Sequence, residues 1–108
     1  MTVSRHVFEH DEIQRYFLFV NGSSKALVIV LHGFSETPEL ALQRLNALRK
    51  LGFSLLLPKG TGEHLSWNAG HCCGEALAEN VDDIGFLSSL TRQVLRDWFH
   101  DSIQAYLT

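Results

Sequence analysis

Paired cysteines, long apolar runs and charge of a single sign are scarce in this sequence of 108 residues. The two cysteines, Cys72 and Cys73, are neighbours, so they cannot join distant segments into a disulfide framework. The formal net charge is −3, with acidic and basic residues interspersed, which predicts no nucleic-acid partner. What remains is one domain, because 45% hydrophobic residues in a chain of this length can form a single packed core.

The sequence also lacks the apolar segments that target a protein to a membrane. No apolar run approaches the roughly 20 residues that a spanning helix needs. Residues 1–15 carry charges where the central region of a secretory signal peptide is apolar. We therefore expect a cytoplasmic chain with no membrane partner.

Short apolar runs that alternate with helical patterns predict an α/β fold. Strands are predicted at 15–20, 26–31, 53–57 and Ile103–Leu107, and the unbroken apolar run at 26–31 is typical of a strand buried on both faces. Helices between the last three strands predict a three-layer sandwich, a parallel sheet with crossover helices. We expect strand 26–31 in the middle of that sheet, flanked by the other two.

Two helices are predicted between these strands. The first begins with Thr37 as its N-cap and Pro38 in its first turn, and it ends at Gly52. The second begins near residue 80, where Asp82 and Asp83 suit the positive end of the helix dipole. A pair of catalytic carboxylates is the other interpretation of these two aspartates, although neighbours on a helix point about 100° apart.

Several of these segments together resemble a known family. The strand that ends in LHGFSE, the strand FSLLLPKG and the block WNAGHCCGEALAENVDDIGFLSSL are similar to α/β-hydrolases. Within that superfamily they resemble the polyhydroxybutyrate depolymerase and feruloyl esterase group, whose opening strand Arg15-Tyr16 also matches. The resemblance begins near residue 13 and covers only the N-terminal half of that family's domain.

Ser35 has three interpretations. A nucleophile elbow has the pattern G-x-S-x-G, but Thr37 stands in the place of the last glycine here. An oxyanion loop is the second, in which Gly33 lets the backbone turn so that later amides face a developing negative charge. A plain structural turn is the third. The resemblance implies an oxyanion loop formed by His32, Gly33 and Phe34, with the Phe34 amide as the donor.

The resemblance also implies what the complete enzyme does. It would be a carboxylic ester hydrolase in which a serine attacks polyhydroxyalkanoate or feruloyl-type esters, with no cofactor and no metal. The family's nucleophile elbow follows the strand that matches Ile103–Leu107, and its acid and histidine come later still. We therefore expect no catalytic residue in this chain, and an ester substrate as a partner only for the complete enzyme.

Other groups of residues are candidates for a substrate pocket, a metal site or a reactive thiol. Trp67 and Asn68, together with Ser35, are candidates for lining a substrate pocket, while a tryptophan here equally serves to anchor a long loop. Cys72 and Cys73 lie near two histidines, but the spacing matches no closed zinc pattern, and nothing positions a base for a reactive thiol. The other histidines are expected on the surface.

A second function of a different class also fits the sequence. The chain would then be a non-catalytic α/β module that binds a partner or assembles through a sheet edge. Strand Ile103–Leu107 has no lysine or proline to block pairing with another chain. We therefore expect self-association through this strand.

Overall fold

The described structure is an α/β domain built on one five-stranded sheet. A computed structural model describes residues 3–23, 26–33, 35–61, 67, 81–99 and 104–107. The strands are β1 (Val3–His10), β2 (Ile13–Val20), β3 (Ala26–Ile29), β4 (Ser54–Pro58) and β5 (Gln104–Leu107). Their order across the sheet is β1-β2-β4-β3-β5.

The parallel part of the sheet confirms the predicted arrangement. β3 pairs in parallel with β4 on one side and with β5 on the other. Residues 26–29 therefore lie in the middle, as expected from two crossover segments that each contain a helix. The carboxyl ends of these three strands meet at one edge, where the loop that follows β3 begins.

The sheet as a whole is mixed, which corrects the prediction of a parallel sheet. β1 and β2 form an antiparallel hairpin, and β2 runs antiparallel to β4. The sequence pattern indicates no strand at β1, because this edge strand has no fully buried residue to give an apolar run. Its turn is Asp11-Glu12, with φ of 53° and 63°, rather than the glycine-containing pair that usually marks a tight hairpin.

Among the described residues, three helices accompany the sheet: α1 (Pro38–Arg44), α2 (Asn46–Lys50) and α3 (Asp83–Val94). A π-helical turn, Leu95–Phe99, continues α3. The single helix predicted between Thr37 and Gly52 is wrong in one respect, because the backbone of Leu45 (ψ 27°) interrupts it. Its ends are confirmed, since Thr37 caps α1 through Leu40 N–H at 3.1 Å and Gly52 has a left-handed φ of 88°.

Alternating strand residues build a core on each face of the sheet. One face packs against the buried side of α3, and the other packs against α1. The α3 core consists of Phe17, Phe19, Leu27, Ile29, Leu56, Phe86, Leu90 and Val94. The α1 core consists of Leu18, Val20, Val28, Val30, Ala41, Leu55 and Leu57. The described elements thus form three layers. No helix among them is long and apolar enough to cross a membrane.

Candidate functional site

The turn after β3 is the feature that the sequence singled out. Glu36 N–H donates to the carbonyl of Gly33 at 3.0 Å, which closes a four-residue turn over positions 33–36. Its third residue, Ser35, is exposed and has a left-handed φ of 63°. Gly33 does not adopt that conformation, and a Cβ placed on it would meet only Glu36 Oε1, at 3.8 Å. The unusual backbone conformation therefore belongs to the serine.

The amide of Gly33 is bound by a carboxylate of the same turn. Gly33 N–H donates to Glu36 Oε1 at 2.8 Å. Arg44 from α1 holds that carboxylate with two further hydrogen bonds, Nη2 to Oε1 at 2.9 Å and Nε to Oε2 at 3.1 Å. These bonds, above all those from Arg44, lower the pKa of Glu36. The Gly33 amide therefore binds an anion, and this anion is the Glu36 carboxylate of the same turn.

His32 is buried beneath this turn, with only 3% of its surface exposed. Its Nε2 accepts from Gly60 N–H at 2.8 Å, and its Nδ1 donates to the Gly33 carbonyl at 2.9 Å. The two bonds together define a neutral ring that carries its proton on Nδ1. Burial, the largest cause, lowers the pKa of His32 and favours the same neutral state. This imidazole joins the segment after β4 to the turn after β3.

Trp67 makes contacts typical of an anchor. Its Nε1–H donates to the carbonyl of His32 at 3.0 Å, and the two rings lie 4.9 Å apart at 38°. It also packs at the margin of the α3 core. Trp67 is therefore fixed to His32, while its role in a substrate pocket stays a prediction.

The structure brings together three of the six predicted site residues, His32, Gly33 and Trp67. Ser35 is on the exposed side of the same turn. Phe34 and Asn68 lie outside the described residues, as do some other candidates that the sequence raised: His64, His71, Cys72, Cys73 and Ile103. Within the described part of the chain, no three histidine, cysteine or acidic side chains are grouped as a metal site.

Sequence reasoning missed a buried ion pair next to this site. Arg15 Nη1 lies 2.6 Å from Asp83 Oδ1, and the two side chains are 1% and 3% exposed. The guanidinium also lies 3.8 Å from the centre of the Phe86 ring, and its Nη1 donates weakly to the Lys59 carbonyl at 3.5 Å. A single arginine beside the apolar run YFLFV was the signal in the sequence. Only the fold could show that Asp83 is its partner.

Lys59 connects the ion pair of Arg15 and Asp83 to the candidate site. The carbonyl of Lys59 faces Arg15, and the next residue, Gly60, donates to His32. Strand β2, the start of α3 and the segment after β4 therefore converge behind the turn. Arg15 still has Nε and Nη2 without a hydrogen-bond partner among the described residues.

Asp82 and Asp83 make different contacts, each with a different part of the structure. Asp82 is the N-cap of α3, where its Oδ1 accepts from Gly85 N–H at 3.1 Å. It also pairs with His10 Nε2 at 2.9 Å, so this histidine is not merely a solvated surface group. Its neighbour Asp83 is buried against Arg15. The carboxylates point to different partners, as expected for neighbours on a helix.

An apolar hollow of about 380 Å³ lies between β3 and α3. It is lined by Ile29, Ile84, Leu87, Ser88 and Thr91. Of the described turn residues, neither Gly33, Ser35 nor Glu36 belongs to this lining. No protein-family model matches the chain, and no curated protein matches it significantly.

Proposed function

We propose that this chain supplies the oxyanion loop of a serine carboxylic ester hydrolase, acting on polyhydroxyalkanoate or feruloyl-type esters. One observation carries the proposal. The His32-Gly33 turn directly follows the middle strand of three parallel strands. In open α/β sheets, ligands bind in the crevice at the carboxyl ends of such strands. The substrate class comes from the sequence resemblance alone.

The chemistry assigned to the turn is stabilisation of charge. A serine attacking an ester carbonyl produces a tetrahedral intermediate with a negatively charged oxygen, and backbone amides held in place stabilise it. Because Gly33 N–H is bound by Glu36, we assign the donor role to the Phe34 amide, as the resemblance implies. His32 holds the start of the turn through its bonds to Gly33 and Gly60.

The nucleophile of the proposed enzyme is not within residues 1–108, because the sequence contains no G-x-S-x-G pattern. The first test is the coding DNA after Thr108, where the proposal expects such a pattern soon after β5. Ser35 should not react with a fluorophosphonate probe, and Ser35→Ala should not change hydrolysis of a nitrophenyl ester. Labelling at Ser35 would contradict the assignment.

If the reading frame continues after Thr108, the donor role of the Phe34 amide is tested in the longer protein that this frame encodes. Phe34→Pro removes the amide hydrogen, and proline is favoured at the second position of such turns. We expect kcat to fall about 100-fold to 1,000-fold, the usual loss for one oxyanion donor. Phe34→Ala is the matched control, since it keeps the amide and should retain most of the activity. Equal losses in both variants would contradict the donor role.

A second function, a non-catalytic binding or assembly module, is favoured by one observation. Strand β5 lies at an edge of the described sheet, and its sequence, Gln104–Leu107, carries no charge. A stop codon directly after Thr108 would support this module. It would also exclude the hydrolase.

A further inference from the structure

We propose that His32 is an acid-sensitive latch, whose protonation releases the segment after β4 from the turn after β3. This inference does not depend on the hydrolase proposal, because it concerns the connection between two loops. It rests on the two hydrogen bonds of one buried ring and on the direction of each.

The two bonds respond differently to a proton. Nε2 is an acceptor for Gly60 N–H at 2.8 Å, whereas Nδ1–H donates to the Gly33 carbonyl at 2.9 Å. A protonated imidazole has N–H donors at both positions and no acceptor. The bond to Gly33 therefore survives protonation. At Gly60, two donors would face each other, and that bond must break.

Water can do little to relieve this conflict, since only 3% of the surface of His32 is exposed. Trp67 covers it, with ring centres 4.9 Å apart, and is tied to the His32 carbonyl. A charge on this ring loses most of its hydration, so the protonated state favours an opened arrangement. The contact that weakens is therefore the one between Gly60 and His32, whereas Lys59 N–H keeps its bond to the Tyr16 carbonyl at 3.2 Å.

The charged groups around the ring come from two sides. Glu36, in the turn before α1, favours a charged ring, but Arg44 already pairs with this carboxylate. Lys59, after β4, opposes a charge on the ring. Behind Lys59, Arg15 and Asp83 pair with each other. Burial outweighs these contributions and lowers the pKa of His32.

The sign of the pH effect follows from this direction. An ordinary histidine has a pKa of 6.5, and the folded protein holds His32 below that value. As pH falls below 6.5, the unfolded or opened state takes up the proton before the closed state does. The latch is therefore fully closed above pH 6.5 and weakens as pH falls from 6.5 through the folded pKa.

Nuclear magnetic resonance of the ¹⁵N-labelled protein tests the latch directly. Above pH 6.5, the ring nitrogens of His32 should report a proton on Nδ1 alone. On acidification, the Gly60 amide should shift with the same midpoint as His32 Nε2, and its protection from hydrogen exchange should fall roughly tenfold, the equivalent of one net hydrogen bond. If His32 becomes protonated while the Gly60 amide stays unchanged, the proposal is wrong.

Variants separate this latch from general acid effects. Trp98→Phe leaves Trp67 as the only tryptophan, and its fluorescence should change over the same pH range. His32→Gln offers Gly60 an acceptor that does not titrate in this range, so both signals should lose their transition. His10→Gln is the matched control, and it should keep the transition. A transition that persists in His32→Gln, or disappears in His10→Gln, overturns the assignment.

Discussion

At the scale of single residues, the strongest constraint is a charge inside the core. Arg15 and Asp83 are nearly unexposed, and removing Arg15 would leave the buried carboxylate of Asp83 without this guanidinium. Two nitrogens of the guanidinium also lack hydrogen-bond partners in the described part of the chain. An incompletely satisfied buried pair stabilises a fold less than apolar residues of similar volume do. It is therefore better suited to fixing the geometry behind the turn than to adding stability.

We predict that removing one partner of this pair lowers the free energy of unfolding much more than replacing both partners with apolar residues. Arg15→Met should lower the free energy of unfolding by about 3–5 kcal/mol, because a carboxylate stays buried without its partner. Adding Asp83→Leu should recover most of that loss, since both charges are then gone. Urea unfolding of the single and double variants measures the difference.

The pair between His10 and Asp82 is the control for that experiment. These side chains are 23% and 54% exposed, so His10→Ala should cost far less than Arg15→Met. If the double variant Arg15→Met/Asp83→Leu were no more stable than Arg15→Met, the buried pair would be a net stabiliser instead.

A second prediction at this scale concerns Tyr16. Burial, followed by the hydrogen bond that its hydroxyl donates to Glu39 Oε1 at 2.7 Å, raises the pKa of Tyr16 from 10.0 to about 12. The neutral phenol is therefore favoured in the folded state. Its stabilising effect is complete below pH 10 and is lost as pH rises from 10 to about 12.

Phenolate absorbance checks this in a protein with only two tyrosines. We expect one transition near pH 12, which Tyr16→Phe removes. Glu39→Gln keeps an acceptor but removes the charge, so the transition should move to lower pH. A late transition that remains in Tyr16→Phe would contradict the prediction.

At the scale of elements, two turns lie in close contact and fix where β2 ends relative to the start of β4. A Cβ on Gly22 would meet the backbone carbonyl oxygens of Gly52 and Phe53. Gly22 N–H also donates to Ser54 Oγ at 3.0 Å, at the start of β4. The turn after β2 and the turn before β4 are therefore in direct contact, and only glycine fits there.

Substitution by alanine should lower the free energy of unfolding by very different amounts at two glycines of this chain. Gly22→Ala should lower the free energy of unfolding by about 2 kcal/mol or more, because backbone atoms must move to admit a methyl group. Gly33→Ala is the matched variant, because its Cβ would make only an ordinary contact with Glu36 Oε1 at 3.8 Å and its φ lies outside the left-handed region. Its loss should be small. Thermal unfolding of both proteins measures this, and equal losses would contradict it.

At the scale of the whole molecule, the sheet has two edges of different character. β1 alternates exposed and partly buried positions and carries two charged residues, Arg5 and Glu9. β5 is the other edge in the described sheet, and its sequence Gln104–Leu107 is uncharged. An uncharged edge strand offers free backbone groups for pairing with a second chain.

We predict that the protein self-associates through β5. Light scattering coupled to size-exclusion chromatography should show a mass that rises with concentration. Tyr106→Lys places a charge on this strand and should shift the protein towards monomer. Val7→Lys, on the exposed face of β1, is the control and should leave association unchanged. A concentration-independent monomer in the unmodified protein would refute the prediction.

The parallel half of the fold could be predicted from local sequence patterns. The sequence predicted the apolar runs that became β3 and β4, the strand that became β5, the Thr37 cap and the helix end at Gly52. Each is a local signal, because a strand buried on both faces must be apolar and a helix must satisfy its first amides. The sequence also located the turn at His32-Gly33.

The contacts that surround that turn could not be predicted from the sequence, because they depend on the tertiary structure. The partners Arg15 and Asp83 are 68 residues apart, and Gly60 and His32 are 28 residues apart. No periodicity links such positions, since packing of strands and helices alone brings them together. The hairpin strand β1 escaped prediction for a related reason, because an edge strand buries too little surface to give an apolar run. Local patterns fix elements, whereas long-range contacts fix the state of each buried polar group.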